Sequence, residues 1–179
     1  MNEFVKFPKI PRWSRECVVT EKIDGTNGQI YIPEEDPRAM YVGSRSRWIT
    51  PENDNHGFAK WCHANQEELI AKLGPGLHFG EWWGQGIQRN YGLREKRFSL
   101  FKLKRWEGVD VSPCHVVPWF YKGPFPPPVD VIMEGLRTGG SIAVPGYMNP
   151  EGIVIFHEAG NLLFKKTLDN DEGKREAYV

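Results

Sequence analysis

At 179 residues the chain suits one domain with a sizeable core, and its 23 basic and 23 acidic residues give a formal net charge of zero, so no global field marks it as a binder of polyanions. Cys17, Cys62 and Cys114 are odd in number and far apart, which argues against a disulfide framework and for a reducing compartment, and neither Cys62-His63 nor Cys114-His115 has zinc-site spacing. The N-terminal "MNEFVKFPKIPRW" lacks an apolar core of signal-peptide length and no run reaches the roughly 18 residues of a membrane span, so a cytoplasmic protein is expected.

The first strand is predicted over 18–22 and the second over 28–32, separated by "DGTNG". Asp-Gly and Asn-Gly are turn residues, so a β-hairpin is the plain expectation there. A third strand is predicted over 40–46. The stretch "HGFAKWCHANQEELIAKLGPG" then reads as one helix, with Phe58, Trp61, Asn65, Leu69 and Leu73 at helical spacing and Gly74-Pro75 as a stop. Strands follow over 77–83, 98–103 and 115–121. Six prolines between positions 113 and 128 predict a loop or polyproline-like second half for that region, on the surface. A second helix starts near Asp130, turns Ile132, Met133 and Leu136 inward and ends at Gly139-Gly140. Two strands close the pattern, over 152–157 and 162–167, joined across "EAGN" as a hairpin. The class is α+β, mostly antiparallel sheet with helices packed outside.

One detail of this pattern asks for a chemical explanation. Lys22 stands at the mouth of a turn that also holds Asp24 and Gly25, and four further segments follow in order at strands or their edges: "VGSRSRW", "HFGEWWG", "RFSLFKLKRW", and "EGIVIF" with "LLFKKT". The set resembles the covalent nucleotidyltransferase superfamily of polynucleotide ligases and capping enzymes. Within it the chain is most similar to ATP-dependent RNA ligases, above all the branch that seals nicks in duplex RNA, from about Val18 to Thr167. The resemblance implies the adenylation fold and a lysyl-adenylate intermediate formed from ATP. A neutral amine is needed for that attack, and at a reference pKa of about 10.4 freeing it at pH 7 costs about 4.6 kcal/mol.

By the resemblance, Lys22 is the nucleophile, Glu21 reads the adenine edge, and Gly25 after Asp24 lets the backbone turn so that the amine faces the nucleotide. Arg45 contacts the ribose or an incoming 5′-phosphate. Arg47, two residues on, shares its strand face and is expected at the nucleic acid. Glu81 accepts hydrogen bonds from the ribose hydroxyls, since a carboxylate in an apolar strand requires a partner. Phe101 stacks on adenine, with Phe98 as the alternative ring. Glu151 helps hold Mg²⁺, or Mn²⁺ in its place. Lys165 neutralises the α-phosphate. Relatives commonly carry lysines at i and i+2 in that last motif, whereas this chain reads Lys165, Lys166, Thr167; a regular strand turns Lys166 away, and a bulge would bring it back.

Residues 88–105 hold seven basic side chains against one acid, and Arg89, Arg94, Arg97, Lys102 and Lys104 are expected to track phosphates, with a solvated charged face as the plain alternative. The expected partner is RNA with 5′-phosphate and 3′-hydroxyl ends. No OB-fold or helical appendage is expected after Thr167, and a partner chain would supply one if the last steps require it. A DNA ligase, an enzyme that stops at adenylylation, and an inactive nucleic-acid-binding module of the same fold are the other readings of these motifs.

Overall fold

The computed structural model describes residues 3–169. Among these residues ten strands form two sheets. β1 (Glu16–Lys22), β8 (Trp119–Pro124), β9 (Gly152–His157) and β10 (Leu162–Thr167) build a four-stranded antiparallel sheet in the order β10-β9-β1-β8. The six-stranded sheet has the order β4-β3-β2-β5-β6-β7. It comprises β2 (Thr26–Ile32), β3 (Tyr41–Gly43), β4 (Trp48–Ile49), β5 (Gly76–Gly84), β6 (Lys96–Leu100) and β7 (His115–Val116). Only β6 and β7 run parallel. The antiparallel α+β class read from the sequence is the one observed.

One face of the six-stranded sheet is apolar and covered by two helices, α1 (Phe58–Ala64) and α2 (Gln66–Leu73). Ile30, Ile32, Trp82, Phe98 and Leu100 meet Phe58, Cys62, Leu69 and Leu73 there. A fully buried Ile, Leu or Phe contributes about 1.5–3 kcal/mol, so this cluster is the main source of stability. The single predicted helix is divided at Asn65, whose side-chain amide donates to the Trp61 carbonyl at 2.8 Å. A short amide that bonds its own backbone competes with the helical ladder, and here Asn65, at φ −115° and ψ 18°, separates α1 from α2. Asp54 accepts the N–H groups of Ala59 and Lys60, satisfying donors that the first turn of α1 leaves open.

The helix α4 (Val129–Gly139) lies on the four-stranded sheet. Ile132, Met133 and Leu136 face Cys17, Val19, Ile153 and Ile155, the inward set expected from the sequence. Gly140, at φ 77°, ends the helix with its N–H on the Leu136 carbonyl. The three cysteines are buried with free thiols.

Several predicted elements come out differently, and two of them decide where the site lies. The segments before and after "DGTNG" do not pair with each other: β1 belongs to one sheet and β2 to the other. The expected hairpin is therefore a crossing between sheets at residues 23–25, with Asn27 and Gly28 inside β2. The single strand predicted over 115–121 is also a crossing. β7 ends at Val116, β8 begins at Trp119, and the Pro118 carbonyl between them accepts the Glu21 N–H at 3.0 Å. β8 also runs to Pro124, into the region expected to be loop. The predicted third strand ends at Gly43, and the strand predicted over 98–103 stops at Leu100, with Leu103 opening the short helix α3 (Leu103–Trp106). Ile23 and Val117, one from each crossing, share a small core with Trp83 and Tyr91.

Candidate active site

Lys22 is the last residue of β1, beside both crossings. Alternation along β1 turns Cys17, Val19 and Glu21 toward α4 and leaves Thr20 and Lys22 on the other face. Lys22 Nζ donates to Glu151 Oε2 at 2.6 Å, with the two side chains 23% and 18% exposed. An ammonium in such a pair has no lone pair to offer, so the amine has to leave Glu151 and lose a proton before it can attack.

The turn after Lys22 is held from three sides. The Asp24 N–H donates to the Tyr91 hydroxyl at 2.8 Å, and the Gly25 N–H to Glu81 Oε1 at 3.1 Å. Arg89 Nε donates to Asp24 Oδ2 at 3.1 Å while its Nη1 donates to Asn149 Oδ1 at 2.8 Å. One guanidinium thus ties the turn to the segment that leads into Glu151. Arg89 was expected on an RNA-facing surface; the structure draws it inward instead, because Asp24 and Asn149 supply acceptors on both edges of its plane. The loop carrying it has positive φ at Gln88, Asn90 and Tyr91, strain that these bonds offset.

Gly25 is required for a reason other than the one expected. It is absent from the positions with positive φ. A Cβ there would lie 2.5 Å from the Trp82 carbonyl and 2.7 Å from the Trp83 Cβ, so the residue is small because β5 passes against it. Gly25→Ala is expected to push the turn off Glu81 and lower nucleotide labelling of Lys22 by an order of magnitude or more, roughly the effect of an ångström of misplacement. Mass spectrometry of protein treated with ATP checks this.

Glu81 sits in β5 opposite Asn27, whose Nδ2 donates to Glu81 Oε2 at 3.1 Å. Burial is the main cause that raises its carboxyl to about 7, with Lys22 and the Gly25 N–H opposing. A carboxyl raised in the fold contributes stability fully below the unfolded value near 4.5, and loses it as pH climbs through about 7. The charged acceptor form therefore dominates only above neutrality. AMP binding by the wild-type protein is expected to strengthen between about pH 6 and 8, and Glu81→Gln to flatten that rise; titration calorimetry across the range measures both.

The register of the last hairpin settles which residues share the Lys22 face. Lys22 and Thr167 both pair with Gly152, and Lys165 pairs with Val154 two residues along, so Lys165 and Thr167 lie on that face. Two strand spacings and two residues set the Cα atoms of Lys22 and Lys165 about 12 Å apart. Lys165 is exposed and carries no ion pair among the described residues. The ladder runs without a shift, so no bulge turns Lys166 back: it falls opposite Ile153, on the α4 face.

Other expected residues are distributed as follows. The Glu21 carboxylate, 1% exposed, accepts from Ser141 Oγ at 2.6 Å and from the N–H groups of Ile142 and Ala143 at 2.9 Å each. It anchors the loop after α4 and points to the face of β1 opposite Lys22. Phe98 is a core ring 4.7 Å from Phe58. Phe101 is 39% exposed, and its N–H bonds the carbonyl of Phe79, itself 42% exposed. Phe79 was missed in the sequence although it alternates with Glu81 along one strand. Arg45 and Arg47 lie in the turn between β3 and β4 instead of on one strand face. Ser44 closes that turn on the Arg47 carbonyl, and Arg47 Nη1 bonds the Asn53 carbonyl at 3.3 Å.

Partners within the fold occupy part of the basic stretch. Arg97 pairs with Glu95, Lys104 with Glu158, and Arg105 bonds the Leu73 carbonyl. Arg94 and Lys102 are exposed with no ion pair among the described residues. Among those residues no three His, Cys, Asp or Glu side chains gather to hold a metal. Mg²⁺ does not need such a cage, since it keeps waters and phosphate oxygens and takes one or two carboxylates; Glu151, beside Lys22, fits that donor set.

The profile of the RNA ligase family matches residues 15–167. The chain belongs to the RNA ligase family. Among curated proteins none matches it. Among solved structures it is similar to RNA ligase from Naegleria gruberi. One variant of that enzyme with ATP and Mn superposes with a TM-score of 0.64 at 21% identity, over 87% of this chain and 50% of that one. Its complex with PPi gives 0.60 at 21% identity, over 85% and 49%. A variant with AMP and Mn gives 0.60 at 19%, over 87% and 50%. This RNA ligase family chain spans about half the length of those ligases and shares their nucleotidyltransferase fold. No helix among its described residues is long and apolar enough to cross a membrane.

Proposed function

We propose that the chain is an ATP-dependent RNA ligase that works through adenylate on Lys22. The supporting observation is the convergence of Lys22, Glu151, Asp24, Gly25 and Glu81 at the junction of the two sheets, with Lys165 on the same face. Lys22 Nζ, released from Glu151, attacks the α-phosphorus of ATP; the P–N bond forms as pyrophosphate leaves. AMP then passes to a 5′-phosphate of RNA and the lysine is freed. A 3′-hydroxyl attacks that phosphate, AMP departs, and the phosphodiester is made. Glu81 and its partner Asn27 orient the ribose, Phe101 lies against adenine, and Lys165 balances phosphate charge, so the protein acts through positioning and electrostatics. Mg²⁺, or Mn²⁺, held by Glu151 and phosphate oxygens, would neutralise the phosphate chain. A cytoplasmic location suits an ATP-using protein with three buried free thiols.

ATP labelled in its α-phosphate tests the first step, and nicked RNA duplex, nicked DNA duplex and single-stranded RNA, offered in parallel, test the rest. Covalent label together with sealing of RNA supports the proposal. Label with sealing of DNA alone, or with no sealing, replaces it by a DNA ligase or an adenylylating unit; no label with either metal ion leaves a binding module.

A further inference from the structure

The open face of the six-stranded sheet carries a second group of side chains beyond Glu81. Asn27 pairs with Glu81, Tyr31 with Tyr41, and Gly43 with Trp48, so Tyr31, Tyr41 and Trp48 rise from the same face as Glu81. Their ring centroids lie 6.2 to 6.5 Å from one another. Core packing does not account for them: Tyr41 and Trp48 are 53% and 54% exposed, whereas their strand neighbours Val42 and Ile49 fill the core on the other face.

The charges around the cluster have a direction. Tyr41 opposes Tyr31 and Gly43 opposes Gln29, so β3 runs toward the Asn27 end of β2, and the turn bearing Arg45 and Arg47 lies at the Glu81 end. The connection from β2 to β3, with Glu34, Glu35 and Asp36 against the single base Arg38, leaves from the opposite end. A phosphate backbone is thus attracted between the rings and the site and repelled beyond them. Exposed aromatic faces beside guanidinium groups are what single-stranded nucleic acid uses, its bases stacking and its phosphates pairing.

The geometry points to Tyr31, Tyr41 and Trp48 as a stacking platform for bases of the RNA strand whose end reacts at Lys22, an inference that rests on the RNA ligase reading above. Four residues of β2 separate Tyr31 from Asn27, about 14 Å. That is about four nucleotides at the 3.4 Å rise of a stacked strand. The platform therefore serves strands longer than a dinucleotide.

Fluorescence anisotropy with 5′-phosphorylated RNA of eight and of two nucleotides tests this, using wild type, Trp48→Ala, Tyr41→Ala and Trp48→Phe. Trp48→Ala and Tyr41→Ala are expected to raise the Kd for the octamer about tenfold. Trp48→Phe should raise it only about twofold, and the dinucleotide should bind all four alike. Unchanged adenylylation of Lys22 in the variants certifies their fold. Octamer affinity within twofold of wild type in both alanine variants overturns the platform, as does a wild-type dimer that Trp48→Ala dissociates, which would make the rings a contact between copies. A wild-type protein that takes no label from ATP counts against the ligase reading instead, and the RNA binding comparison then still decides the platform.

Discussion

Lys22→Ala is expected to take up no label from ATP at any pH between 6 and 9, with either Mg²⁺ or Mn²⁺. The alanine removes the only amine on the motif turn, and Lys165, whose Cα stands about 12 Å away across two strands, reaches the phosphate from a different direction. Lys22→Arg is the sharper variant. It keeps a cation opposite Glu151, but a guanidinium is never deprotonated in proteins and cannot act as the nucleophile, so it too should remain unlabelled while still binding AMP. Separating these outcomes needs only autoradiography of the protein band and a binding isotherm. Label retained in Lys22→Ala, or mapped by mass spectrometry to another lysine, would remove the chemistry proposed for this junction.

The second large effect concerns stability. Glu21→Ala leaves three donors without the acceptor that a 1% exposed carboxylate gives them: the Ser141 hydroxyl and the N–H groups of Ile142 and Ala143. Each buried donor left unpaired costs about 1–3 kcal/mol, so a loss of about 3 kcal/mol or more is expected. For a chain of this size that lowers Tm by roughly 10 °C. Glu21→Gln keeps one acceptor oxygen and should lose about half as much. Because Glu21 adjoins Lys22 on β1, residual labelling in the folded fraction tells an anchor from an adenine reader. Labelling per folded molecule that stays near wild type fits the anchor; a raised KM for ATP with unchanged Tm would make Glu21 a nucleotide contact after all.

Glu21 and Lys22 also illustrate what could be read without coordinates. That they point in opposite directions follows from strand alternation, which is local and written in "VVTEKI". The partner of Glu21 was not legible, since Ser141 lies 120 residues on, in a loop with no periodic pattern of its own. Asn27 was read as turn chemistry because Asn-Gly usually is. Its alternation with Gln29 and Tyr31 was the available signal for a strand, and burial of Gly28 against Phe58 and Phe98 selects that outcome. Tyr91 and Asn149 escaped notice for the same reason as Ser141: they act through loop geometry, which has no sequence period.

The sequence by itself determined most of the long strands, the inward face of α4, the final hairpin, and the position of the lysine motif at the end of the first strand. These rest on short-range periodicity and on residue chemistry at fixed spacing, both carried by neighbours in the chain. Only the tertiary structure decided that β1 and β2 part company at residues 23–25, that the stretch around Pro118 crosses back, and that Arg89 closes on Asp24. Which sheet a strand joins depends on the apolar surface it can bury with segments far along the chain, as β1 does with β9, and that sum over distant contacts has no local signature.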